Sequence, residues 1–393
     1  MAKERKYTME LRVTADFEGG NGRVERILRE EQADVVYFAA EHKKGGPQAL
    51  WFFLRLEGVK GPHLQCVLTN PSQILGGGGS WKHNSPVVRF GSGTWSRIGQ
   101  VTRRLNEHLV PEIVMEIEVP PGESVAEIAA CYPYLRKDLE ATFEDADPRS
   151  IWSKCGIGYS ADGNSIIRVY NTLGDEERSK PGLFFIARQH AGETPGSWAL
   201  DGILRYLVSD EGLALSKELC IWAVPVADPD GVACGAYGKD QFPWDINRAW
   251  DRVTRPEIHA IQTDLIRWSG RCRPHMIVDL HAPGYSEHGF YFWAPTVPHS
   301  VARLTHTVAN LFRERVPEHL RGNEPAYRPW GATQTSVHQG SSCIAFGIQR
   351  LGIPTATLEI SYQGPEPGVW YTPEDYRLLG RTLIETLHST LPG

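Results

Sequence analysis

The stretch FFIARQHAGETPGSWALDGILRYL, residues 184–207, decides the fold. It opens as an unbroken apolar run of strand length and closes with apolar side chains at helical spacing. The chain therefore passes from a buried strand into a helix across a short turn. His190 and Glu193 sit at that turn, three residues apart. Polar groups at the carboxyl end of a strand stand where open α/β sheets bind their ligands.

The same grammar continues on both sides of this stretch beyond about residue 150. Apolar strands LFFIARQ, LCIWAVPVA, HMIVDLH and TATLEISY alternate with the helical stretches SWALDGILRYLVS, PEIHAIQTDLIRW and SVARLTHTVANLFRERV. Such alternation implies an α/β fold with a mainly parallel or mixed sheet covered by helices on both faces. The last helix has its start written out, with Thr372 as N-cap, Pro373 at the first helical position, and Glu374 and Asp375 in the first turn.

Ahead of this region the pattern differs. From about 8 to 118, short alternating segments such as YTMELRVTADF, ALWFFLRLEGV, HLQCVLTN, PVVRFGS and VMEIEVP are separated by Gly, Pro and Asn clusters, the pattern of an all-β sandwich. The run Gly76–Gly79 lacks the Gly-Lys-Ser/Thr ending of a phosphate loop and reads as a hairpin tip. Residues 124–143 return to helical spacing around Tyr132 and Tyr134 and read as a connector. The expected organisation is a β-sandwich domain over 1–120, a connector over 121–149 and an α/β domain over 150–393.

Composition narrows the function. At 393 residues the chain exceeds one ordinary core. Its 41 basic and 47 acidic residues, net −6, point to neither nucleic acid nor a bilayer as partner. The start MAKERKYTMELRV is charged where a signal peptide is apolar, and no stretch approaches the roughly 18 to 20 apolar residues of a membrane span, so a cytoplasmic protein is expected. The seven cysteines are scattered, never in Cys-x-x-Cys spacing, and read as reduced, mostly buried thiols.

Three groups stand at strand ends: His190 with Glu193, His281 after HMIVDL, and Glu359 late in TATLEISY. A catalytic zinc site commonly takes three protein ligands, and two His plus one Glu is a recurring set. His190 and Glu193 lie on one turn and His281 is the candidate third ligand. Each is also explicable singly, since a His-x-x-Glu match arises by chance in a chain of this composition and a strand-end His is commonly a hydrogen-bonded structural residue. Glu359, between Leu358 and Ile360, is a candidate general base and acid, the alternative being a buried, salt-bridged structural acid. In DPDGVACGAYGKDQFPWDINRAW, residues 228–250, Asp228–Gly231 reads as a strand-terminating turn. Asn247 and Arg248 follow in a loop. An Arg fork with a neighbouring Asn suits a carboxylate, and a solvated surface Arg is the plain alternative.

Taken in order, these motifs resemble those of the M14 zinc carboxypeptidases, in the branch that contains the cytosolic carboxypeptidases. The motifs are His190-Ala-Gly-Glu193, Asp228-Pro-Asp-Gly231, Asp245-Ile-Asn-Arg-Ala-Trp250, Asp279-Leu-His281 and Thr357-Leu-Glu-Ile-Ser361. The resemblance extends to a β-sandwich before the catalytic domain and a joining segment like Cys131-Tyr-Pro-Tyr134. It implies a mixed eight-stranded sheet covered by helices and a zinc-dependent carboxypeptidase acting on the C-terminus of a peptide or protein. One zinc ion would be bound by His190, Glu193 and His281, with Glu359 as general base and acid for a zinc-bound water. Asn247 and Arg248 would hold the substrate's terminal carboxylate.

Three departures qualify the resemblance. The family usually has an oxyanion-stabilising Arg where this chain reads Gly235-Ala-Tyr-Gly-Lys239, and Lys239 is the available point charge. The tyrosine that often closes over the scissile bond has no clear counterpart in TQTSVHQGSSC, where His338 is a stand-in. Ile344 falls where glutamate-trimming members carry a basic residue, which implies preference for an uncharged C-terminal residue. A zinc amidohydrolase acting on a small acyl-amino acid and a catalytically silent binder of peptide C-termini are the competing functions.

Overall fold

Alternation of inward apolar and outward polar residues builds the front of the chain into two five-stranded sheets. One runs, in spatial order, Arg12–Thr14, Phe53–Glu57, Val125–Ala129, Val87–Phe90 and Ser96–Arg97, antiparallel throughout. The other runs Arg23–Arg29, Ala33–Ala39, His63–Leu68, Pro111–Glu118 and Gln100–Leu105, with its second and third strands parallel. Val36, Phe38, Leu64, Cys66, Ile113 and Met115 share one core with Leu54, Leu56, Ala126 and Ile128. The computed structural model describes residues 10–29, 33–45, 48–73, 81, 84–239, 245–252, 254–296, 299–330 and 341–392. Gly76–Gly79 and His338 lie outside them.

The helical spacing read over 124–143 is corrected at its start: Val125–Ala129 is a strand, and the helix begins only at Arg136 and runs to Glu144. The strand fills the gap between Phe53–Glu57 and Val87–Phe90, which would otherwise leave two rows of backbone groups unpaired. Its period is two, with Ala126 and Ile128 buried inward and Glu127 turned outward to Arg55 and Arg89. Small and β-branched residues in VAEIA satisfy either spacing, so tertiary pairing decides.

The α/β part is one eight-stranded mixed sheet. Its strands are β1 (Ser153–Tyr159), β2 (Ser165–Tyr170), β3 (Pro181–Ala187), β4 (Cys220–Val224), β5 (Arg273–His281), β6 (Phe290–Pro295), β7 (Tyr327–Trp330) and β8 (Thr355–Ile360). Their spatial order is β1-β2-β4-β3-β5-β8-β6-β7, and β4, β3, β5 and β8 form a parallel centre. Leu183, Phe185, Met276, Val278, Leu280, Ala356 and Leu358 face the helices Thr194–Val208, His299–Arg315 and Pro373–Ser389. Phe184, Ile186, Trp222 and Ile277 face the helix Pro256–Ser269. The last helix starts as the sequence predicts: Thr372 Oγ1 accepts from Asp375 N, and Asp375 accepts from Thr372 N. Asp228 differs in detail, capping the short helix Pro229–Cys234 by accepting from Gly231 N at 3.0 Å rather than only ending a strand. All seven cysteines are free thiols. No helix among the described residues is long and apolar enough to cross a membrane.

Candidate metal centre

Strand alternation turns polar along one face of β5 and β8 at their carboxyl ends. Ile277 is buried in the core, and two steps on Asp279 and then His281 continue the same face. His281 is registered against Glu359 of β8, and Glu359 in turn against Tyr291 of β6. Neighbours in register project on the same side. The sheet therefore sets an imidazole and a carboxylate side by side although 78 residues separate them along the chain, 359 minus 281.

His190 and Glu193 arrive from β3. The turn that carries them is bent at Arg188, whose φ is 60°, and is tied by its buried guanidinium: Nε donates to Ala191 O at 2.6 Å and Nη1 to Tyr134 O at 2.9 Å. Burial pushes that guanidinium down to about 10, so it is still a cation at neutral pH. Glu193 occupies the N-cap position of the helix Thr194–Val208, yet its side chain does not cap the helix. It faces the two histidines instead. Its Oε1 lies 2.8 Å from His190 Nδ1 and its Oε2 lies 2.7 Å from His281 Nδ1, while Ala282 N donates to Oε2 at 3.1 Å.

The far edges of both rings are also engaged. His190 Nε2 meets Asp245 Oδ1 at 3.2 Å and His281 Nε2 meets Asp279 Oδ2 at 2.9 Å. Carboxylates that fix the outer nitrogen orient a ring and make the inner nitrogen a stronger donor. Asp279 is held in its turn, since Gln189 Nε2 donates to its Oδ2 at 2.6 Å and Trp250 Nε1 donates to Gln189 Oε1 at 2.8 Å. One donor atom from each of His190, Glu193 and His281 lies within 4.8 Å of the others, and all three side chains are buried. Two inward nitrogens and a carboxylate, oriented from behind, fit a divalent ion of the zinc type.

The charge balance follows from that packing. Burial alone raises the Glu193 carboxyl, and the two facing imidazoles reverse this and hold it well below the usual range. Burial lowers His281, yet Asp279 and Glu193 more than offset it and raise the ring's pKa, and His190 is raised in the same way by Glu193 and Asp245. A cluster so rich in opposed carboxylates gathers positive charge, which protons supply when no metal ion does.

Glu359 is the odd carboxylate. Its Oε1 accepts from Trp293 Nε1 at 3.2 Å, and its buried Oε2 has no hydrogen-bond partner among the described residues. Burial raises it to about 7, with Glu193 adding to the rise and His281, Lys239 and His190 opposing it. A carboxylate poised near neutrality beside a metal-type cluster suits proton transfer.

The remaining candidates fall around this centre. Asn247 lies on the turn Ile246–Arg248, whose first residues are pinned by Asp245 Oδ1 accepting from Asn247 N at 2.8 Å. Its own Oδ1 accepts from Cys343 N at 3.1 Å, and its Nδ2 edge stands 3.3 Å from His281 Nε2. Arg248 is half-buried beside it and donates to Asn247 O at 2.8 Å. Ile344, 2% exposed, packs with Val301, Ile348, Trp293 and Trp330, and Trp293 is the residue that touches Glu359. Lys239 is half-buried, with Nζ 5.5 Å from the Tyr237 ring, and its charge acts on both Glu359 and Asp245. Gly238, just before it, has φ +106°, and a Cβ there would lie 2.4 Å from Ala191 N and 2.8 Å from His190 Cα, so this backbone admits no side chain at 238.

Five further residues of the centre carry no mark of their role in the sequence reading: Arg188, Gln189, Tyr237, Asp245 and Asp279. Asp245 and Asp279 stand two residues from Asn247 and His281 inside the quoted motifs, which is the signal that finds them. Tyr237 donates to Glu193 Oε1 at 3.4 Å from a buried hydroxyl. Only the fold reveals that contact.

Residues 13–120 match the cytosolic carboxypeptidase N-terminal domain and residues 142–377 match the zinc carboxypeptidase family. Cytosolic carboxypeptidase 6 of Mus musculus is 24% identical over 96% of this chain and 72% of its own length. A metallo-carboxypeptidase from Burkholderia cenocepacia shares the fold with a TM-score of 0.78 at 18% identity, over 96% of this chain and 98% of that one. So does a metallo-carboxypeptidase from Pseudomonas aeruginosa, solved in complex with (2-guanidinoethylmercapto)succinic acid, with a TM-score of 0.77 at 20% identity over 96% and 98%. The chain belongs to the M14 zinc carboxypeptidase family, whose match extends over more than half of its length.

Proposed function

We propose that the chain hydrolyses the C-terminal peptide bond of a peptide or protein at a single zinc ion held by His190, Glu193 and His281. One observation supports this reading above the rest: Glu359, raised to about 7 with one oxygen unpartnered among the described residues, stands in register with His281 at the edge of that cluster. A zinc ion bound there supplies Lewis acidity toward the scissile carbonyl and a water of lowered pKa. Glu359 takes a proton from the attacking water and returns it to the leaving amine. Arg248, with Asn247 beside it, holds the terminal carboxylate as a fork that a Lys could not copy. Lys239 stabilises the developing oxyanion as a point charge. Trp293 orients Glu359 through its indole N–H.

The apolar group around Ile344, Trp293 and Trp330 supports an uncharged C-terminal residue as the preferred leaving group. A glutamate side chain seated there would bury a carboxylate among apolar side chains, with Arg328, 5.9 Å from the Trp293 ring, already paired to Glu287 and Glu324, at a cost of several kcal/mol.

The Glu359→Gln variant tests the reading. It is expected to keep its zinc and to lose activity by about 10²- to 10⁴-fold on peptides with free C-termini. A silent binder of C-termini, the reading that the absent oxyanion Arg favours, requires the wild type to be equally inactive.

A further inference from the structure

The sandwich meets the α/β part beside the candidate centre, where Trp51 packs against Gly192 and a buried asparagine reaches across. Asn21, 1% exposed, lies where the loop 17–22 meets the segment that follows the helix Pro229–Cys234. Its Nδ2 donates to Gly235 O at 2.7 Å and to Glu41 O at 3.1 Å, and its Oδ1 accepts from Glu41 N at 2.8 Å. Glu41 alone would tie Asn21 into the sandwich. The second amide hydrogen crosses to the α/β sheet.

The contact continues on both sides of that bond. Gly19 N donates to Ala233 O at 3.3 Å, and Trp51 Nε1 fixes the loop by donating to Gly19 O at 2.8 Å. Gly235 has φ +71°, and a Cβ there would lie 2.2 Å from Gly20 O. Two residues on, Gly192 N donates to Tyr237 O at 2.8 Å, and the Tyr237 hydroxyl donates to Glu193 Oε1. The links run Asn21, Gly235, Tyr237, Glu193. The segment between Gly235 and Gly238 is held from the α/β side by Ala236 N donating to Gly231 O at 2.8 Å and by Gly192 N on Tyr237 O, and from the sandwich by Asn21 on Gly235 O.

We infer that Asn21 is a positioning residue for the metal centre. By holding the Gly235 carbonyl it fixes Tyr237 against Glu193, so the N-terminal sandwich sets the metal affinity of the α/β sheet. The inference rests on the proposed reading of His190, Glu193 and His281 as ligands.

Zinc dissociation constants, measured by competition with a chromophoric chelator, test it on the wild type, Asn21→Ala, Tyr237→Phe and the double variant. Partners outside the ligand set typically shift metal affinity by 10- to 100-fold, so Asn21→Ala is expected to weaken binding about tenfold. Tyr237→Phe is expected to do the same, and the double variant to bind no more weakly than Tyr237→Phe alone. Unchanged affinity in Asn21→Ala, or effects that multiply in the double variant, would overturn the inference. A wild type that takes up no zinc would overturn the ligand reading with it, whereas a wild type that binds zinc while Asn21→Ala binds equally well removes the positioning role alone. Thermal melting shows whether each variant is folded. Asn21→Ser, which is polar but lacks the second amide hydrogen that Asn21 gives to Gly235, carries the same prediction should Asn21→Ala fail to fold.

Discussion

Replacing Glu359 by Gln in the metal-free protein should make it more stable, and increasingly so as the pH rises. The folded state raises this carboxyl from 4.5 to about 7, with burial as the leading cause. That rise corresponds to about 3 kcal/mol of destabilisation once the group is ionised. Below the unfolded-state value near 4.5 the carboxyl is protonated in both states and contributes nothing. Between 4.5 and 7 the cost grows, and above 7 it is borne in full. Gln keeps an acceptor for Trp293 Nε1 and replaces an oxygen that has no partner among the described residues. The new amide's own offset is the same at every pH, so the change with pH reports the Glu359 carboxyl together with His281, Glu193 and His190, whose charges act on it. Urea unfolding of both proteins in the presence of a chelator, at pH 5, 6.5 and 8, reads the difference from the midpoints. The stability gained by Glu359→Gln should increase by about 2 to 3 kcal/mol from the lowest to the highest pH. A gain that is flat with pH, or that shrinks as pH rises, would refute the burial argument. In the zinc-loaded enzyme the added positive charge favours the carboxylate, so the acidic limb of kcat/KM should lie below pH 7.

Other outcomes follow from single contacts. Gln189→Leu strands the Trp250 indole N–H and takes one donor from Asp279, so it should cost about 1 to 3 kcal/mol of stability and weaken zinc binding about tenfold, by melting and chelator competition. Ile344→Lys puts a cation among Trp293 and Trp330, and the ratio of kcat/KM for peptides ending in Glu over those ending in Leu should rise at least about tenfold; an unchanged ratio would remove Ile344 from the specificity site. Lys239→Met should lower kcat by about 10²-fold with KM nearly constant, because the charge acts on the transition state and not on the bound ground state.

Much of the architecture was legible in the sequence for a simple reason. Strands such as LFFIA and the MIV of HMIVDLH are buried on both faces, so their apolar runs are unbroken, and the polar residues that follow mark the carboxyl edge of the sheet. His190, Glu193, His281 and Glu359 could be nominated from that edge alone. What brings them together is register, as in the pairing of His281 with Glu359, and register is a property of two strands at once. The strand Val125–Ala129 was hidden because its small residues fit a helix equally well until two neighbours require a partner. Gln189, Tyr237 and Asn21 were hidden for a related reason. Each acts on a group distant in sequence through one hydrogen bond, and nothing in the local chain distinguishes such a residue from ordinary polar filler. Gly238 shows the reverse: the missing Arg was visible in the sequence, but the His190 and Ala191 backbone lying against the Gly238 Cα was not.

The most direct test is the zinc content of the purified chain after chelator stripping and re-dialysis against zinc, beside Glu193→Ala treated identically. About one zinc per wild-type chain is expected, and essentially none for the variant. A wild type that cannot be reconstituted, or a variant that retains the ion as tightly as its parent, would contradict the ligand reading.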